Sequence, residues 1–145
     1  MRVQLWDLAG RQPLTPRLVG HRRTVDAVAT TVVDGLPVAV TGSNFDGRLR
    51  VWDLLTGRQL GEALLGHHRR VGALATVIAP DGTPLALSGS DDSTVRAWHL
   101  RTLQPFGPPP PFPYRVTALS PTPSGDLLVA FGEELALLRL QQPLS

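Results

Sequence analysis

Tryptophan occurs at positions 6, 52 and 98, so consecutive copies stand 46 residues apart. The same interval separates Gly20-His21 from Gly66-His67 and Asp46 from Asp92. A period in the forties means that one supersecondary unit is copied along the chain, each copy burying its apolar faces against its neighbours rather than within itself. "TGSNFDGRLRVWDLLTGRQL" lies over "LSGSDDSTVRAWHLRTLQPF", and "VDGLPVAVTGS" over "PDGTPLALSGS" with a one-residue offset that the next turn cancels. A degenerate third copy, "YRVTALSPTPSGDLLVAFGEELALLRL", has Leu138 where tryptophan would stand.

Within the first complete copy, runs at roughly Val25 to Val32, Pro37 to Thr41, Arg48 to Trp52 and Gln59 to Leu65 are parted by Asp34-Gly35, Asp46-Gly47 and Thr56-Gly57. The runs are too short and too rich in β-branched residues for helices, and their boundaries are turn pairs, so they read as strands. The opening strands "VDAVAT", "VGALAT" and "VTALSP" are small and apolar on both faces, which predicts strands sandwiched where neighbouring sheets converge. Four strands per period is the signature of radially arranged antiparallel blades. The prediction is an all-β fold, a partial β-propeller of four-stranded antiparallel blades, about three in number. It divides into a half-blade over 1–19, blades over 20–65 and 66–110, and a degenerate, incomplete blade over 111–145.

With 42% apolar and 18% charged residues in 145, the chain has the composition and length of one globular domain. Its fourteen basic residues are all arginine, a usage that fits a high-GC bacterial genome, yet the formal net charge is only +2. The pull on an anionic partner is therefore weak. Without lysine there is no P-loop, and without cysteine there are no disulfides, thiol nucleophiles or thiolate metal sites. "MRVQLWDLAG" lacks the apolar core of a signal peptide and no later stretch approaches a membrane span, so a cytoplasmic chain with no membrane partner is expected.

The "GH" pairs (Gly20-His21, Gly66-His67), the "TGS" and "SGS" runs (Thr41 to Ser43, Ser88 to Ser90) and the "WD" pairs (Trp6-Asp7, Trp52-Asp53) at joint spacing resemble the WD-repeat β-propeller family along essentially the whole chain. The resemblance implies one hydrogen-bonded tetrad per blade: His21, Thr41, Asp46 and Trp52 in one, His67, Ser88, Asp92 and Trp98 in the next. The donor and acceptor inventory supports it, because an indole only donates, a hydroxyl does both, and a histidine needs its second nitrogen fixed. The same residue types also make up a Ser/Thr-His-Asp triad. Two equivalent copies, each with its hydroxyl capped by an indole, speak for structure instead, and no catalytic residue is assigned.

Asp53 falls outside the tetrad and is expected to organise the turn toward Gly57; His99 replaces it in the next copy and is expected to be solvated. His67-His68 lacks a third ligand at useful spacing, so neither metal nor cofactor is expected. Arg22, Arg23, Arg69 and Arg70 precede inner strands and fall on one rim, with Asp26, Phe45 and Asp91 as further rim residues. They form either a solvated rim balanced by neighbouring Asp residues, or a contact surface for an acidic peptide or phosphate. The proline-rich run Pro105 to Pro113 replaces a fourth strand and is expected to be an extended, imperfect blade edge.

Thirteen strands are expected, and three blades cannot close a ring. Either the missing blades come from a longer parent, of which this is a carboxy-terminal piece and which is the favoured reading, or a second copy supplies them, or the chain persists as an open stack. Function follows as a non-catalytic scaffold for a protein or peptide partner, in what the resemblance implies is a larger bacterial regulatory protein. The alternatives are a propeller enzyme or small-ligand binder with a central-channel site, and nucleic-acid binding through the arginine rim with a steep salt dependence.

Overall fold

In the computed structural model, which describes residues 2–19, 21 and 24–139, the turn pairs cut the chain into antiparallel strands. The first sheet pairs β1 (Arg2–Asp7) with β2 (Gln12–Val19). The second orders β3 (Val25–Val33), β4 (Leu36–Ser43) and β5 (Leu49–Asp53). The third orders β6 (Val71–Ile78), β7 (Pro84–Ser90), β8 (Val95–His99) and the short β9 (Gln104–Pro105). The fourth orders β10 (Val116–Pro121), β11 (Leu127–Phe131) and β12 (Glu134–Leu138). The fold is all-β, a set of partial β-propeller blades that, among the described residues, do not close into a ring. No helix among the described residues is long and apolar enough to cross a membrane.

The repeat is visible in a shared defect. The register slips at Val25/Ala27 in β3, at Val71/Ala73 in β6 and at Val116/Ala118 in β10, so each inner strand is bulged at its first residues.

The structure corrects two expectations. Twelve strands are described rather than thirteen, because Gln59 to Leu65 forms no ladder. Only isolated bridges join Trp52 to Gln59 and Leu49 to Leu64, since the chain leaves the edge of β5 at Gly61, where φ is +67°, and rejoins it at Leu64. The proline-rich run does follow the edge of β8, through Phe106 N to Ala97 O at 2.8 Å and Phe112 N to Ser93 O at 2.8 Å. The second correction concerns the inner strands, of which only β6 has burial approaching a sandwiched strand. Val28 and Val32 of β3 are exposed, as are Thr117, Ala118 and Ser120 of β10, because no described sheet covers those sides.

The core lies between sheets. Val38, Val40, Leu49 and Val51 pack with Val71, Ala86, Trp98 and Leu100 of the next sheet. Leu85, Leu87 and Val95 pack with Val116, Leu127, Val129 and Phe131 in the same manner. Close approach depends on the glycine of "TGS" and "SGS". A Cβ on Gly42 would stand 2.7 Å from Val71 Cγ1, and one on Gly89 would stand closer still to Val116 Cγ1. Two consecutive sheets, β3–β5 and β6–β9, thus each offer a glycine socket to the first valine of the sheet that follows.

Filling a socket overpacks the interface. Gly89→Ala is expected to destabilise the chain by about 1–3 kcal/mol, and pairing it with Val116→Ala should cost less than the two single changes added together. Additive losses in urea unfolding would show that the two residues do not touch in solution.

Candidate functional site

The polar residues that recur with the period converge beside the buried indoles. In the third sheet Trp98, on β8, donates its indole N–H to Ser88 Oγ on β7 at 2.9 Å, and His67 Nε2 lies 2.7 Å from the same oxygen. Because the Asp92 carboxylate only accepts, the ring proton sits on His67 Nδ1 and is donated to Asp92 Oδ2 at 3.0 Å, which leaves Nε2 to accept the Ser88 hydroxyl proton. Asp92 also accepts from His68 N at 3.0 Å, Thr94 N at 3.0 Å and the Thr94 hydroxyl at 2.6 Å. The glycine of "GH" makes room for the ring system, because a Cβ on Gly66 would come within 2.8 Å of Trp98 Cη2.

In the second sheet Trp52 Nε1 donates to Thr41 Oγ1 at 2.9 Å, and His21 Nε2 lies 2.5 Å from that oxygen. The fourth member does not join. Among the described residues Asp46 makes no hydrogen bond to His21, whose Nδ1 is buried without a partner, and Asp46 instead accepts from Arg48 N at 3.1 Å. The two units differ at the residue two places after the aspartate. Thr94 supplies a hydroxyl that occupies Asp92 Oδ1 and turns Oδ2 toward the histidine, whereas Arg48 supplies none. In the fourth sheet Val129 replaces the hydroxyl residue and Leu138 the indole, at the same register positions.

The hydroxyls and imidazoles of these networks are buried. Burial, with the nearby Arg50 guanidinium adding to it, pushes His21 down to about 4, and burial likewise lowers His67 against the opposing pull of Asp92. For Asp92 burial works to raise the carboxyl, but bonds from Thr94, His68 N and His67 outweigh it and hold it at about 2. Arg50 and Arg96, placed two residues before each indole, were not predicted as part of the site; the "RxW" spacing at 50/52 and 96/98 was the available signal. Ser88 and Thr41 are 0% exposed, so neither hydroxyl is open to a substrate as a triad serine must be. No group of three or more metal-ligating side chains occurs among the described residues.

The second residue of the "WD" pair shapes the turn. Asp53 Oδ1 accepts from Leu55 N at 2.8 Å and Thr56 N at 3.2 Å, while Gly57 N donates to Asp53 O at 2.8 Å. Asp7 accepts from Ala9 N at 3.0 Å in the same way. His99 is not simply solvated, as expected from sequence; its Nδ1 accepts from Arg101 N at 3.1 Å and caps the equivalent turn.

On the rim, Arg22 and Arg23 lie outside the described residues. Arg70 is committed rather than solvated: its Nε is 2.5 Å from Asp26 Oδ2, and Asp91 lies 3.9 Å away, which ties the start of β6 to β3. Arg101, beyond β8, grips Asp34 of the β3–β4 turn at 3.0–3.1 Å, a second tie between sheets that sequence did not show. Arg69 and Phe45 remain exposed on the rim.

Antiparallel sheets stacked side by side, two of them with a buried third-strand indole bonded to a hydroxyl of the second strand, define the blades of a β-propeller. Residues 58–99 match the model of the WD40 family, described as WD domain, G-beta repeat. The search among curated proteins found no match.

Asp92→Ala strands several donors, including the His67 ring, and should cost about 2 kcal/mol or more, whereas Asp46→Ala removes one exposed turn bond and should cost under about 1 kcal/mol. Equal losses in thermal unfolding would contradict the unequal networks. Both histidines bind their protons less readily folded than unfolded, so the unfolded chain takes up more protons and stability falls as pH drops from 6.5 toward about 4. Asp92 extends the loss from 3.8 toward about 2. A melting temperature unchanged across the histidine window would refute neutral, buried rings.

Proposed function

We propose that the chain is a non-catalytic protein-interaction scaffold, a segment of a WD-repeat propeller in a larger bacterial regulatory protein of the cytoplasm, which presents its blade rim to a protein or peptide partner. WD40 repeats act in general as protein–protein interaction scaffolds. The observation that carries the reading here is the fate of the reactive groups. The hydroxyl, imidazole and carboxylate that chemistry would need are spent on one another in the buried Ser88–His67–Asp92 network.

The groove running across β3, β6 and β10, where a channel site would lie, is lined mainly by Ala, Gly, Val, Leu and Thr, and its one ionisable residue, Asp26, is held by Arg70. The rim by contrast presents an aromatic and a cation, Phe45 and Arg69, residue types that anchor protein interfaces.

The test is affinity capture with the wild-type chain and with a Phe45→Ala/Arg69→Ala variant. The variant should melt with the wild type and lose at least one protein that the wild type retains from nuclease-treated extract at ~0.5 M salt. Capture that vanishes at that salt or after nuclease treatment would favour nucleic acid, and identical capture by both chains would remove the rim from the proposal.

A further inference from the structure

Between the β6–β9 and β10–β12 sheets lies an apolar cavity of about 190 Å³. Leu85, Leu87, Val95 and Ala97 line it from one sheet and Leu138 from the other, while Phe106 and Pro110 of the proline-rich run complete the wall. By register the first four hold the positions of Val38, Val40, Leu49 and Val51. Phe106 N donates to Ala97 O as Leu60 N does to Val51 O, and Val95 N donates to Pro110 O as Leu49 N does to Leu64 O. The cavity wall therefore repeats the wall that, one sheet earlier, packs in a single cluster with Trp98.

What differs is the residue that fills it. Trp98 pairs with Ala86, and at the same point of the next sheet Leu138 pairs with Leu127. Leucine is far smaller than tryptophan, and Ala97 takes a further bite from the opposite wall, half-buried where its counterpart Val51 is buried. Ser88, which accepts the indole N–H of Trp98, has Val129 as its counterpart, so the inner end of the space has no side-chain acceptor. The cavity's one polar side chain among the described residues, Arg139, is exposed. The result is a socket shaped for an aromatic ring that this unit of the chain does not supply.

We propose that this cavity is a binding site for a small, neutral aromatic molecule, whose ring takes the place that Trp98 holds in the preceding interface. The occupant follows from the wall. An apolar cavity of about 150 Å³ already admits one benzene ring, and a ring buries its faces against Leu, Val and Pro without needing a hydrogen bond. A group that carried a hydroxyl or a charge to the inner end would lose its hydration with no partner to replace it. The site lies between two sheets, apart from the rim residues Phe45 and Arg69, and does not rest on the reading of the rim.

Toluene is the probe, added to the full chain and followed by methyl NMR and thermal unfolding. The methyl resonances of Leu85, Leu87, Val95 and Leu138 should shift in a saturable way, and the melting temperature should rise with toluene concentration. The exposed Leu135 and Leu137, outside the cavity, should not respond. Leu138→Phe returns a ring from within, and Ala97→Leu narrows the space from the opposite wall, so the test does not depend on either variant alone folding. Each should weaken toluene binding about tenfold or more. No saturable shift in the wild type, equal shifts at Leu135 and Leu137, or undiminished binding by the filled variants would overturn the site. The Phe45→Ala/Arg69→Ala variant should bind toluene like the wild type, and a loss there would also count against the cavity.

Discussion

Val71 seats on Gly42 and Val116 on Gly89, and these two contacts set how closely consecutive sheets approach. No sheet here has a core of its own. Val40 or Leu87 becomes buried only when the next blade arrives, and the next blade arrives only where a missing side chain admits its first valine. Stability is therefore shared between neighbours, as in other stacked repeats. An extra methyl at a socket acts on a whole interface rather than on one residue.

Inside the β3–β5 and β6–β9 blades, the buried hydroxyl does for polar groups what the glycine does for apolar ones. Ser88 joins β7 to β8 through Trp98 and reaches the incoming loop through His67. The network is complete where Thr94 positions Asp92 and stops one bond short where Arg48 stands instead. The ties between blades are of a third kind, the ion pairs Arg70–Asp26 and Arg101–Asp34, which are exposed and add orientation more than stability.

Much of this was legible in the residues. The interval between tryptophans led to the repeat, the turn pairs to most strand boundaries, and the donor and acceptor inventory to a His–hydroxyl–indole chain. What was not legible shares a physical cause, since it depends on which groups face each other across units rather than along one. The unmade bond between Asp46 and His21 depends on what stands two residues beyond the aspartate and where its donor points. His99 and Asp53 look chemically unlike, yet each offers one acceptor to the same turn N–H groups, a role that geometry assigns and residue type does not.

The sequence by itself determined the period, the all-β class and the His–hydroxyl–indole members of the buried polar networks, because spacing and hydrogen-bonding capacity are local properties. The tertiary structure decided which faces are covered. Trp52 and Trp98 are 1% exposed while Trp6, the same residue at the same point of the period, is 57% exposed. Gly89 is likewise only a residue without a side chain in the sequence, and only the stacking of blades makes it the socket for Val116. The physical reason is that a propeller blade buries its residues against another blade, so burial belongs to the pair and cannot be read from either member.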